Sequence, residues 1–238
     1  MMGRMIAMKT IRIHITALLI ALTCLGISFV SWRAHNHYRI KAPSVSRRPI
    51  AVIDAGHGAF TDWGLLDYGA THYGIREADV TIQVTNRLCE SLESNGWIAV
   101  TTRDGEFTPL NLIERSHLAS HIGADVFVSI HTNSFRSPHP NGLSVHYWGD
   151  ESEQLAQMMQ AILCKRLGMK DRGIVKQPLT ALVWASTSAV LVELGFISNP
   201  REAQRLANET FQRKAANAIA EALTLWIRSK CNESQPCF

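Results

Sequence analysis

Aspartate and glutamate are missing altogether from the first 48 residues of this 238-residue chain. Eight Lys/Arg stand there uncompensated: Arg4, Lys9, Arg12, Arg33, Arg39, Lys41, Arg47 and Arg48. Removing them from the chain totals of 24 basic and 20 acidic residues leaves 16 against 20. The net charge of +4 therefore belongs to the leader, and residues 49–238 are mildly acidic. That excludes the electrostatic footprint of a nucleic-acid binder. The chain also lacks internal repeats, low-complexity tracts beyond a short linker, and any H-E-x-x-H, which excludes the metalloprotease type built on that helix. Its five cysteines decide little. Cys24 lies in an apolar run, and Cys89 and Cys164 sit in helical patterns as buried thiols. Cys231 and Cys237 lie close together in a polar tail, where pairing is expected if the protein is exported.

What is present is ordinary globular material, 46% hydrophobic and 18% charged, enough for one sizeable core. After the basic residues 1–12, the apolar run 13–32 is long enough to cross a bilayer and reads as a signal peptide or an uncleaved anchor. Residues 33–49 form a basic Pro/Ser-containing linker, residues 50–229 the folded domain, and residues 230–238 a polar tail. The basic residues after the apolar run outnumber those before it, which taken alone places the domain in the cytoplasm. The substrate implied below overrules that bias.

Short apolar runs at Ile50–Asp54, Trp97–Thr102, Val126–Ile130 and Val190–Glu193 read as buried strands. Leu143–Trp148 alternates and reads as a strand exposed on one face, near the sheet edge. Helical patterns fill the intervals. Glu77 opens a helix with Val80, Val84, Leu88 and Leu92 on one face, ending at Asn95-Gly96. Asn111–Ile122 turns Leu112, Ala119 and Ile122 inward, and a helix from about Glu151 to Leu167 buries Leu155, Met158/Met159 and Ile162. Asp171–Leu182 reads as irregular. Asn199 caps a helix started by Pro200, with Glu202 reaching back as a capping box, and a last helix runs from Phe211 to about Arg228. Strands alternating with helices give a single α/β domain with a largely parallel sheet.

Three of the strands end on chemistry. Ile50–Asp54 runs into Ala55-Gly56-His57-Gly58, Val126–Ile130 into His131-Thr132-Asn133, and Val190-Leu191-Val192 into Glu193. In open α/β sheets the carboxyl ends of strands collect the ligands. Small neighbours leave the His57 imidazole clear, and Glu77 heads the next helix with no obvious partner except Arg76. Two imidazoles and one carboxylate, with a fourth position for water, are the ligand set of a hydrolytic Zn2+ site, one ion per chain. Such chemistry needs a further carboxylate that is not a ligand, and Glu193, set among apolar residues, is the candidate. His72 is the rival ligand to Glu77. Ser129 faces into the layer as core, and Arg115 is expected to pair with a sheet-edge carboxylate. Phe60, Trp63, Tyr68 and Tyr73 line a groove beside the metal or support the loop from the core.

At these residues the sequence resembles the zinc-dependent N-acetylmuramoyl-L-alanine amidases, the type 3 amidases among bacterial cell-wall hydrolases. Asp54-Ala-Gly-His-Gly58, Glu77, Ser129-Ile-His-Thr-Asn133 and Leu191-Val-Glu-Leu-Gly-Phe-Ile-Ser-Asn199 look like the family's successive motifs, in order, over about residues 50–229. The resemblance implies a twisted six-stranded sheet with flanking helices, Zn2+ on His57, Glu77 and His131, and Glu193 as catalytic carboxylate. It implies peptidoglycan as substrate, cut between the lactyl group of N-acetylmuramic acid and L-alanine of the stem peptide. The implied location is the periplasm or cell envelope, reached by export or by a membrane anchor if the leader stays uncleaved, and a monomer is expected. The loop between His57 and Glu77 is longer than usual, and Asp67-Tyr68-Gly69-Ala70 within it resembles the expected Asp-x-Gly-Ala. The competing readings are a wall-binding domain without catalysis and another zinc hydrolase, such as a peptidase. Some family members insert a long helix before the catalytic Glu that plugs the zinc. Here Ser134–Ala189 is already used by other elements, so an open site is expected.

Overall fold

The computed structural model describes residues 47–61 and 63–230, with the backbone of 231–234. The apolar leader and the Cys231–Cys237 pairing lie outside the described residues. Eight strands and six helices follow in order among them: β1 (Ile50–Ala55), β2 (Thr71–His72), β3 (Ile75–Arg76), α1 (Glu77–Ser94), β4 (Ile98–Thr101), α2 (Leu112–His121) and β5 (Val126–Asn133). Then come β6 (Leu143–Tyr147), α3 (Asp150–Leu167), β7 (Asp171–Lys176), α4 (Thr180–Val183), β8 (Ser188–Phe196), α5 (Pro200–Leu206) and α6 (Glu209–Ser234).

Six strands form one sheet in the order β4-β1-β5-β8-β6-β7. Every neighbouring pair is parallel except β6–β8, which is antiparallel. The largely parallel sheet read from the sequence is therefore present, with one reversal. Because both faces are covered, the central strands are apolar at successive positions. Ala51, Ile53, Val128, Ile130, Val190 and Val192 pack under α1, α3 and α6. Val52, Phe127, Ala189 and Leu191 pack under α2 and α4. The predicted stripe of α1 is fully used: Val80, Val84, Leu88 and Leu92 are 0–2% exposed. Burial of this kind is worth about 1.5–3 kcal/mol for each such side chain.

Several expectations are corrected. Asp171–Lys176, read as irregular, is strand β7, and Thr180–Val183 is a short helix. With β7 beyond it, β6 is an interior strand rather than an exposed edge. At α2 and its C-cap, Leu112 and Ile122 are 50% and 37% exposed; Ala119 is buried as expected, and Arg115 and Ser116 share its face. Helix α5 does begin at a capping Asn199, whose side chain accepts from Arg201 N and Glu202 N. Glu202 closes no capping box; its two oxygens accept from Gly142 N (2.8 Å) and Phe196 N (2.7 Å). Such a box stands at α2, between Asn111 and Glu114.

Candidate metal centre

The loop leaving β1 turns sharply at two residues, His57 (φ 66°) and Gly58 (φ 74°). A histidine in the left-handed region is strained by about 1–3 kcal/mol and persists only where its surroundings over-determine it. Two buried arginines do so here. Arg115 donates to Asp54 Oδ1 (3.2 Å), Ala55 O (3.2 Å) and His57 O (2.9 Å). Arg103 donates to Gly56 O (3.1 Å) and Ala78 O (2.9 Å), tying the loop to α1. Asp54 completes the frame by accepting from Thr102 Oγ1 and Ser129 Oγ, each at 2.6 Å. Arg115 therefore has its expected carboxylate partner, and Ser129 is a fully buried hydrogen-bond donor.

Glu77 is delivered by a tight hairpin. Between β2 and β3, Tyr73 (φ 54°) and Gly74 (φ 75°) make a turn with both central residues left-handed, the type that matches strand twist. The chain then enters α1 directly at Glu77, so the carboxylate sits at the positive end of the helix dipole. Arg76 turns away to Asp79 (2.7 Å). The Glu77 carboxylate is buried and four times bonded: Oε1 accepts from Thr132 N (2.9 Å) and meets His131 Nδ1 (3.1 Å). Oε2 accepts from Ala70 N (3.1 Å) and meets His57 Nε2 (3.0 Å). His131 projects from the end of β5, where the pairing with β8 shifts register between His131 and Asn133 and re-aims the strand.

Ligand atoms of His57, Glu77 and His131 all lie within 4.8 Å of one another, a group that could hold a metal ion. The donor set fits zinc. Two imidazoles and one carboxylate are the nitrogen and oxygen donors that zinc takes, and each Glu77 oxygen meets one ring, at 3.0 Å for His57 Nε2 and 3.1 Å for His131 Nδ1. Backbone approach is close as well. A Cβ on Gly69 would lie 2.6 Å from the His57 ring and 2.7 Å from Glu77 Oε2, and one on Gly56 would lie 2.5 Å from the His131 ring. His57 Nδ1 meets Asp67 Oδ2 at 2.8 Å, and Asp67 Oδ1 accepts from Gly69 N at 2.9 Å. A ring nitrogen held by a carboxylate while the other faces the ion is the usual outer layer of a histidine ligand. His72 stands apart from the group, 3.0 Å from Ser134 Oγ.

The ionisation pattern favours positive charge at this group. Burial works against a charged His57, yet Glu77 and then Asp67 raise its pKa to about 9. Burial likewise opposes the Glu77 carboxylate, but hydrogen bonds from His131 and His57 hold its pKa well below the usual range. A divalent cation supplies the same positive charge and displaces the protons. Glu193 lies directly across from His131 in the β5–β8 register. Its Oε2 is enclosed and has no hydrogen-bond partner. Burial pushes its pKa to about 7, against the opposing pull of His131.

Sequence reasoning passed over Asp54, Asp67 and Arg103 as supports. Asp67 carried a local signal, an Asp two residues before a Gly whose N–H it accepts. Among the loop aromatics, Phe60 and Trp63 are 57% and 89% exposed, which removes core support as their role. Phe60 packs on Phe107 (ring centroids 5.9 Å), Tyr68 lies under Arg76 (4.2 Å), and Tyr73 Oη donates to Ser198 O (3.0 Å).

The family model described as N-acetylmuramoyl-L-alanine amidase matches residues 51–225. Over 174 residues the chain is 35% identical to the uncharacterized protein YqiI of Bacillus subtilis, covering 72% of this chain and 81% of that protein. Over 180 residues it is 32% identical to the N-acetylmuramoyl-L-alanine amidase LytC of Bacillus subtilis, covering 74% of this chain but only 35% of LytC, about a third of its length. Among solved structures, the amidase AmiC2 of Nostoc punctiforme is 33% identical with a TM-score of 0.71, covering 77% of this chain and 99% of that one.

Proposed function

This chain belongs to the N-acetylmuramoyl-L-alanine amidase family, and from that premise we propose that it cuts peptidoglycan using one Zn2+ held by His57, Glu77 and His131, with Glu193 as its catalytic carboxylate. The bond is the amide between the lactyl group of N-acetylmuramic acid and L-alanine. The observation that carries this reading is the unpartnered, enclosed Oε2 of Glu193 facing the three-residue group. An orphaned buried oxygen costs about 1–3 kcal/mol or more, which a structural role does not return.

Zn2+, when bound, polarises the scissile carbonyl and acidifies water. The protein's own groups do the rest. Glu193, with a pKa near 7, takes a proton from the attacking water and passes it to the nitrogen of the departing L-alanine as the C–N bond breaks. Glu77 and the imidazoles fix the attack geometry, and Asp67 holds the His57 tautomer. Loss of that hold has a measurable price: Asp67→Asn should weaken zinc binding by roughly 10–100-fold, read by competition with a chromogenic chelator. Unchanged affinity would show that Asp67 merely closes the loop.

Among the described residues no helix is long and apolar enough to cross a membrane. Anchoring therefore rests on residues 13–32, which together with the substrate support a location outside the cytoplasm. Between β5 and β8, α3 packs on α6 and β6, while the four-residue α4 packs on α2 and β8. This supports an open site that works without an activator protein. The test is product analysis of digested peptidoglycan. Stem peptides with a free L-alanine amino terminus and intact muramic acid are the expected products; cuts within the peptide would replace the amidase reading by a peptidase.

A further inference from the structure

The rim beyond Glu193 carries a feature that the amide chemistry leaves unused. A cleft of about 600 Å³ opens between the loop after β5, the turn joining α3 to β7, and the start of α5. Its lining includes His139, Asn141, Lys170, Arg201, Glu202 and Arg205. Lys170 and Arg201 are exposed, and among the described residues neither side chain has a carboxylate partner. Arg205 is committed to Leu167 O (2.6 Å), and Glu202 spends both oxygens on the backbone N–H groups of Gly142 and Phe196. Arg172 stands at the margin, 5.0 Å over the Phe196 ring and donating to Asn141 O (3.4 Å). The cleft thus holds one carboxylate, Glu202, turned to the backbone, and leaves Lys170 and Arg201 at its surface without an ion-pair partner among the described residues.

Its place on the sheet matters as much as its charge. Because β6 runs antiparallel to β8, the start of β6 lies at the same end of the sheet as the end of β8: Ser144 pairs with Glu193, and Leu143 with Asp171 of β7. The rim therefore runs in one direction from His57 after β1, through His131 and Glu193, to the cleft. The wall is tied to the catalytic strands by Ile197 N to Asn133 O (2.8 Å) and Asn199 Nδ2 to Pro138 O (2.9 Å). From Glu193 to Phe196, which Glu202 holds by its N–H, is three strand residues, about 10 Å. An extended peptide advances roughly 3.3 Å per residue, so one running from a scissile amide at Glu193 toward the cleft covers that span in about three residues.

We propose that this cleft is a subsite for the carboxylates of the stem peptide, with Lys170 and Arg201 as the groups that pair them. The proposal rests on the amidase reading and adds to it a preference for acidic stem peptides. A wall stem peptide carries free carboxylates beyond its first residue, and charge-assisted hydrogen bonds to them are the strong kind.

The test compares two substrates on the full chain, a muramoyl-peptide with free carboxylates and the same compound with them amidated. The wild type should favour the acidic form by about tenfold or more in kcat/KM, carried by KM. The Lys170→Glu/Arg201→Glu double variant should narrow that preference to within about twofold. Lys214→Glu, an exposed charge reversal on α6, should keep it. Should the reversal unfold the protein, the Lys170→Gln/Arg201→Gln pair must show the same narrowing. A wild type indifferent to amidation overturns the subsite. So does a double variant that retains the preference, whether or not both substrates are slowed, the outcome expected if the cleft served an anionic wall polymer instead. Cleavage of neither substrate by the wild type sinks the amidase reading itself, and this subsite with it.

Discussion

Replacing Glu193 by Gln should lower kcat by roughly 10²–10⁴-fold while leaving one zinc per chain. The substitution keeps the shape of the side chain but removes its capacity to take and return a proton. Glu193 is not among the three residues whose ligand atoms converge, so the ion should stay. The pH profile supplies a second signature. In the proposed role Glu193 acts ionised, and burial raises its pKa to about 7 before any cation is added. A neighbouring dication lowers that value, so kcat/KM should fall as pH drops through a point at or below 7, and this acid limb should vanish in the Gln variant. Stability should move the other way. A carboxyl whose folded pKa exceeds its unfolded value costs stability progressively as pH rises from about 4.5 to 7, and the full cost remains above that. Glu193→Gln should therefore raise the Tm of the metal-free protein at pH 8. An enzyme of near-normal turnover, or one that lost its zinc, would refute the assigned role.

Removing the carboxylate of Asp54 should cost the protein about 3–5 kcal/mol. Asp54 and Arg115 are each 1% exposed, and their contact of 3.2 Å is the anchor of the β1 loop. In Asp54→Ala the guanidinium stays buried with only backbone carbonyls for partners, and two hydroxyls, Thr102 Oγ1 and Ser129 Oγ, lose their acceptor. The smaller change Ser129→Ala deletes one hydrogen bond and should cost about 0.5–1.5 kcal/mol. Urea unfolding of the zinc-free proteins separates the two. A loss below about 1 kcal/mol in Asp54→Ala would show that water or a shifted loop satisfies Arg115. The same loop carries His57 in its left-handed conformation, so zinc affinity should fall with stability in this variant.

Which parts of the fold were legible in the sequence follows from what each element packs against. Strands β1, β5 and β8 are buried on both faces and appear as bare apolar runs. The stripe of α1 faces the core along its whole length. Strand β7 was missed because Asp171, Arg172 and Lys176 are exposed and Gly173 (φ 80°) interrupts the run; only the register with β6 makes it a strand. The reversal of β6 was invisible, since alternation reports faces and not the direction of a partner. Helix α2 misled because its inward face is mixed: Ala119 joins the apolar cluster under the sheet, Arg115 serves Asp54 and the β1 loop, and Ser116 donates to Ala181 O, while Leu112 points out.

The site divides in the same way. His57 follows the end of β1, His131 lies near the end of β5 and Glu77 where a helix begins, positions that a linear pattern marks; Glu193 closes its apolar run although β8 continues to Phe196. Asp67 gains its place only when a long loop folds back, through Gly58 N to Asp67 O (2.7 Å) and Asp67 N to Ala59 O (2.9 Å). Arg103 reaches Gly56 and Ala78 across some 25–47 residues of sequence, a closure that no local pattern encodes.

The most direct test is anomalous diffraction at the zinc edge from crystals of the zinc-loaded protein. One peak per chain is expected, at about 2.0–2.2 Å from one atom each of His57, Glu77 and His131, with the Glu193 carboxylate close by but uncoordinated. A peak elsewhere, a sphere in which His72 replaces Glu77, or direct ligation by Glu193 would contradict the account.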